Sequence, residues 1–168
     1  DLWMWTVIKF DKKNLNLLLS DLKKKSGKEL IIYRPKILIQ RFSKNKLTFK
    51  EHYLLGDYLF FYHHDFKDKS TIEKYKFSKG LKYFLNGFNE FQLDIKKFID
   101  KCKKLENDRG YISETLFDLS LNSFYKFNSG PFVNKIFKII NFEKNKIKIL
   151  AGNLKTTISK REYLFSPV

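Results

Sequence analysis

The chain is poor in the residues from which most recognisable chemistry is assembled. Cys102 is the single cysteine, so no internal disulfide can form, and the histidines number three: His52, His63 and His64. With no H-E-x-x-H and no second cysteine, no zinc site of familiar spacing can be built. His63 and His64 are neighbours on a stretch of strand character, where successive side chains point to opposite faces, so they are not expected to share a metal ion. Only seven glycines are present, and G-x-G-x-x-G, Walker-type and G-x-S-x-G loops are all missing. Neither an enzyme nor a cofactor or metal is therefore expected. No run approaches the roughly eighteen apolar residues of a membrane span. The opening DLWMWTVIKF lacks the basic, apolar and small-residue succession of a leader, which with the lone cysteine makes the cytoplasm the expected compartment.

Arginine is scarce too. Of 34 basic residues 30 are lysine, against 18 acidic residues, giving a net charge of +16. Lysine is a point charge without arginine's bidentate fork, so the excess favours non-specific phosphate contact over base reading. An A+T-rich genome would impose the same lysine bias, so part of the excess says nothing about partners. Aromatics at 17% and hydrophobics at 43% of 168 residues are ample for one good core or two small ones.

Taken in order, Trp5 to Phe10 spells a strand. Leu15, Leu18, Leu19 and Leu22 then fall on one face of a helix capped by Asn14 and ended by Gly27. Glu29 to Tyr33 and Ile37 to Phe42 are further strands around Pro35, and Ser43 to Lys46 is a hairpin loop returning through Leu47 to Phe49. The densest apolar run is His52 to His64. There a Gly56-Asp57 turn precedes a strand with Tyr58, Phe60 and Tyr62 on one face and Leu59 and Phe61 on the other. Both faces are apolar, so one is expected to pack on helices and the other to meet a second layer or a partner. A capping-box pattern, Ser70 to Glu73, starts a short helix, and Gly80 opens a strand from Leu81 to Leu85. Asp94 caps an amphipathic helix whose stripe is Ile95, Phe98, Ile99, Cys102 and Leu105, which makes Cys102 a core residue.

Charge then reverses. Residues 1–105 hold 24 basic and 12 acidic side chains, residues 106–120 one and four, and the remainder nine and two. The middle stretch has no helical period and is expected to be a linker between a front domain, 1–105, and a tail domain, 121–168. The tail spells short strands: Phe124 to Phe127, a turn at Asn128 to Pro131, Val133 to Phe142, Lys146 to Leu150 with Lys/Ile alternation, and Thr156 to Ile158. That suffices for a small barrel. The whole is an α+β chain, an antiparallel sheet flanked by helices followed by the barrel.

Two stretches together carry a resemblance. Leu54 to Phe61 (LLGDYLFF) resembles the L-F-P-[GN]-Y-[LV]-F-V strand of the NusG family of transcription elongation factors, and Phe127 to Ile139 (FNSGPFVNKIFKI) resembles that family's KOW motif around G-P-F. Gly56 and Asp57 depart from the family's proline and its glycine or asparagine, and Asn134 and Phe137 stand where KOW sequences have glycine. Such departures, with the ending ILAGNLKTTISKREYLF, look more like an operon-specialised, RfaH-like member than the general factor. The resemblance implies an NGN-like front domain, an SH3-like KOW barrel and a cytoplasmic monomer that suppresses pausing and termination without chemistry of its own. Its partners would be RNA polymerase, bound at the clamp, the non-template DNA strand, and Rho or a small-subunit ribosomal protein. Tyr58, Phe60 and Pro35 match polymerase-binding positions, Phe10 and Tyr33 join them by adjacency, and Lys69, Ser70 and Thr71 would touch the opposite jaw. Lys12, Lys13, Lys79 and Lys82 are candidates for nucleic acid, and Gly130, Pro131 and Phe132 form the KOW motif. The alternative is a basic ribosome- or RNA-associated KOW protein.

Overall fold

The computed structural model describes residues 4–27, 30–113, 119–160 and 162–168. It is a mixed fold of helices and several antiparallel sheets, divided into two compact units, Asp1–Pro35 with Tyr53–Asp100 and Lys36–His52 with Lys101–Val168.

In the first unit β1 (Trp5–Phe10), β2 (Ile31–Tyr33), β5 (Tyr58–Tyr62) and β6 (Leu81–Phe84) form a sheet in the order β2-β5-β1-β6, each pair antiparallel. The register sets Ile8 opposite Leu59 and Val7 opposite Phe60. Alternation then sends Ile8, Phe10, Leu59 and Phe61 to one face, where Leu18 and Leu22 of α1 (Leu15–Ser26) and Tyr75 of α2 (Lys69–Lys76) cover them completely. The Phe61 ring meets Phe66 and Tyr75 edge-on at 5.0 and 5.2 Å. Each such side chain stabilises the unit by roughly 1.5–3 kcal/mol relative to leaving it in water.

The helix starts differ in part from expectation, and electrostatics explains why. Asn14 stands at the N-cap of α1 as expected but makes no side-chain cap bond; Asp11 caps the 3-10 turn before it, Lys12–Asn14, its carboxylate accepting from Lys13 N at 3.1 Å and from Asn14 Nδ2 at 2.9 Å. The carboxylate offsets the two lysines that oppose the helix dipole. Asp68 likewise caps α2, accepting from Ser70 N, so Ser70 lies inside the first turn. The third helix, α3 (Gln92–Lys104), begins two residues before Asp94. The Gln92 amide accepts from Trp5 N at 2.9 Å and donates to Trp5 O at 2.6 Å, standing in for a neighbouring strand's peptide group beside β1.

The second unit begins with a hairpin, β3 (Lys36–Ser43) and β4 (Lys46–Tyr53), joined through Lys44 and Asn45, both left-handed at φ +49° and +58°. Two such residues make the turn whose twist suits a hairpin. Residues 36–52, expected in the front domain, group with the tail because their polar groups are used there. Ile112 N donates to Lys36 O at 2.9 Å, Gln40 N to Asn128 O at 3.3 Å, and Gly130 N to Gln40 Oε1 at 2.8 Å. The first half of the expected linker is a folded loop: Glu106 bridges Ile112, Asn107 Oδ1 accepts from Arg109 N and Tyr111 N, and Ile112 is buried. Residues 114–118 lie outside the described residues. Cys102 is buried, as its place on the apolar stripe requires.

The tail forms β7 (Phe124–Phe127), β8 (Ile136–Phe142), β9 (Lys146–Ala151), β10 (Leu154–Ser159) and β11 (Phe165–Pro167), ordered β10-β9-β8-β7-β11 and antiparallel throughout. The Lys/Ile alternation of β9 puts Ile147 and Ile149 into a core with Phe127, Phe137, Ile139 and Phe165. Residues 133–135 are a turn, not strand; Asn134 takes φ +67°, a conformation asparagine tolerates where glycine is the default.

Candidate functional site

The second face of the first sheet is covered in part only. Its side chains stand in three cross-strand rows: Ile31, Tyr62 and Trp5; then Tyr33, Phe60 and Val7, with Leu85 continuing β6 opposite Val7; then Tyr58, Lys9 and Tyr83. Helix α3 lays Ile95, Phe98 and Ile99 over Trp5 and Phe60, leaving those two only 9% and 5% exposed. Phe60 meets Phe98 at 5.9 Å and Trp5 at 6.3 Å, and stacks on Tyr33 at 6.4 Å. The third row is open. Tyr83 is 44% exposed, its hydroxyl 3.0 Å from that of Tyr58, and Lys9 Nζ lies 5.1 Å from the centre of the Tyr58 ring. The bond from Tyr83, aided by the Lys9 charge, draws the Tyr58 phenol below its ordinary range, and the same bond pushes Tyr83 up. Two tyrosines, a lysine stem and the half-exposed Leu85 make an amphipathic patch suited to a protein surface that is apolar with polar points.

Of the residues expected to bind polymerase, Tyr33, Tyr58 and Phe60 share this face. Phe60 is sealed under α3, which corrects the expectation that it lies open to a partner. Phe10 faces the opposite core and is fully buried, with the Arg34 guanidinium 5.0 Å from its ring centre; Pro35 is buried as well. A partner can reach neither of them. Lys69 and Ser70 are exposed and Thr71 half-buried on the first turn of α2, in the layer behind the sheet. The sequence reading passed over Lys9, Tyr83 and Leu85. The alternation of Tyr83 and Leu85, and of Val7 and Lys9 on β1, was the signal that could have placed them, while the bulge between Lys9 and Phe10 turns Leu81 into the opposite core.

The basic candidates gather at one corner. Asp11 N donates to Gly80 O at 2.8 Å, and at φ +87° Gly80 packs so close to α1 that a Cβ would stand 2.9 Å from Asn14 O. Only glycine fits there, and it brings Lys79 beside the turn of Lys12 and Lys13. Lys12 pairs with Asp57 at 3.2 Å, and Lys82 is exposed on β6. In the second unit Gly130 takes φ +81° against the Tyr163 ring, Pro131 is exposed, and Phe132 packs on Phe127 at 5.8 Å.

His63 and His64 do not diverge as expected. β5 stops at Tyr62, so alternation no longer applies, and the two imidazoles stack at 4.6 Å. With Asp65 they place three donor atoms within 4.8 Å of one another, the arrangement among the described residues that could hold a metal ion. No helix among those residues is long and apolar enough to cross a membrane.

No protein-family model matches the chain, and no curated protein matches it. Solved structures similar to it include NusG of Thermotoga maritima, from a study of its domain interaction, at 12% identity over 94% of this chain and 93% of that one, with a TM-score of 0.35. The MjSpt4:Spt5 complex is similar at 12% identity over 98% of both chains, with a TM-score of 0.29.

Proposed function

We propose that this chain is a transcription elongation and antitermination factor of the NusG type, in its RfaH-like form. In this reading residues 1–105 bind the clamp of RNA polymerase, with Lys69, Ser70 and Thr71 reaching the opposite jaw. The corner of Lys12, Lys13, Lys79 and Lys82 meets the non-template DNA strand, and residues 121–168 recruit Rho or a small-subunit ribosomal protein. The factor works as a cytoplasmic monomer. Gripping both sides of the cleft suppresses pausing because the factor binds the active conformation more tightly than the paused one.

The observation that carries the proposal is the half-open sheet face. An amphipathic row beyond the reach of α3 is left open at Tyr83 and Tyr58, the latter on the strand whose LLGDYLFF carries the resemblance. The G-P-F turn in a five-stranded tail adds to it.

The test is retention of polymerase from a bacterial lysate at moderate salt, comparing the full chain with Tyr58→Ala/Tyr83→Ala. The double variant is expected to lose polymerase while keeping its fold and most non-specific nucleic-acid binding. Undiminished polymerase retention sinks the docking assignment. Ribosomal subunits captured in place of polymerase turn the reading to the ribosome-associated alternative.

A further inference from the structure

The outer strand of the β3–β4 hairpin is bare. Every residue of β4 from 46 to 52 is exposed. Thr48 Oγ1 donates to Arg41 O at 3.2 Å, which sets Thr48 opposite Arg41. Alternation from that pair puts Arg41, Lys46, Thr48, Lys50 and His52 on one face, with the buried Ile37 and half-buried Ile39 at its far end on β3, and Gln40, Leu47, Phe49 and Glu51 on the other, with Lys44 at the turn. The second face is tied into its own unit, since Gln40 holds Gly130 N and Glu51 accepts from Lys36 Nζ at 3.2 Å and Tyr111 Oη at 2.6 Å. The first face carries no acidic residue. Among the described residues its cations and Lys44 meet no carboxylate.

We infer that this ribbon is a second nucleic-acid surface, separate from the Lys12 corner, and that its ligand is the phosphate backbone of duplex DNA. Four cations that meet no carboxylate among the described residues, Arg41 on β3, Lys44 at the turn, and Lys46 and Lys50 about 13 Å apart along β4, give the charge complement of a polyanion. A two-stranded ribbon is the right width for the B-form major groove, about 12 Å across, whereas the deep, narrow groove of A-form RNA excludes it. The binding face has no aromatic ring on which a single strand could stack; Phe49 is on the other face. With three lysines and one arginine, contact through phosphates outweighs base reading.

The experiment is fluorescence anisotropy of the full chain with a labelled 20-base-pair DNA duplex, titrated at several salt concentrations. Four phosphate contacts give a log–log salt slope of about −3.6 and weaken binding about 150-fold over a fourfold rise in salt. The variant Arg41→Gln/Lys44→Gln/Lys46→Gln/Lys50→Gln, all on exposed residues, is expected to lower the slope by about 3 to 4 in magnitude. The variant Lys12→Gln/Lys13→Gln/Lys79→Gln/Lys82→Gln is expected to leave that share of the slope in place. An unchanged slope in the ribbon variant overturns the inference. So does tighter ribbon-dependent binding to a single strand or to duplex RNA of the same length. The polymerase test does not touch these residues, so the two readings stand or fall separately.

Discussion

Replacing Phe60 by alanine empties a position that three rings and a helix enclose. Phe60 is 5% exposed and contacts Trp5, Tyr33 and Phe98 within 6.4 Å. A buried phenylalanine truncated to alanine costs about 3–5 kcal/mol, transfer and cavity together. Aromatic pairs such as these three supply roughly 0.5–1.5 kcal/mol each beyond the area they bury, which places Phe60→Ala in the upper half of that range. With a urea m-value of about 1.5 kcal/mol/M, a loss near 4 kcal/mol lowers the unfolding midpoint by roughly 2 to 3 M. The assay is built into the chain: Trp5 lies in the first unit with its ring 6.3 Å from that of Phe60, so its fluorescence follows that unit. The Tyr58→Ala change, in the open row, is expected to leave the midpoint nearly where it was. A midpoint shift below about 0.5 M for Phe60→Ala would mean that α3 does not seal this end of the face, and the division into a structural and a free end would go with it.

At Gly130 an added Cβ would run into the Tyr163 ring, on a backbone at φ +81°. Gly130→Ala is therefore expected to destabilise the second unit by about 2–5 kcal/mol, overpacking and left-handed strain together, seen in near-ultraviolet dichroism while tryptophan fluorescence stays unchanged. Tyr163→Ala in the same chain should restore only the overpacking part. Ring-labelled NMR should show Tyr58 ionising below the usual phenol range and Tyr83 above it. In Tyr83→Phe the Tyr58 value should climb back; if it stays low, the bond between the hydroxyls is not its cause.

Local periodicity was legible in the sequence because it is written in adjacent residues. The Trp5–Phe10 strand, the leucine stripe of α1 and the Lys/Ile alternation of β9 all come from spacing alone. What escaped depends on partners far along the chain. The stripe on α3 announces that the helix covers something, but not that it covers Phe60, more than thirty residues earlier. Nothing near Gln92 says that its amide completes β1, 87 residues away. Asn14 is the N-cap of α1 as its place before the leucine stripe suggests, but the 3-10 turn that Asp11 caps ahead of it has no periodic signal. The first half of the expected linker hides its fold in the same way: charge reversal looks like a boundary, yet Asn107 and Ile112 close residues 106–112 into a loop. The tyrosine row was half visible, through Tyr58, and half hidden, because Tyr83 joins it only across β1.

The exposed outer strand of the hairpin has a consequence for the chain's behaviour in a crowded solution. A two-stranded ribbon with an exposed outer strand is a template on which another copy could zip itself, and Leu47 and Phe49 would make such stacking sticky. Lysines at positions 44, 46 and 50 repel an identical ribbon approaching edge to edge. Whatever else these charges meet, they also keep the molecules apart, and a chain stripped of them at high concentration would be the first to form sheets with its own kind.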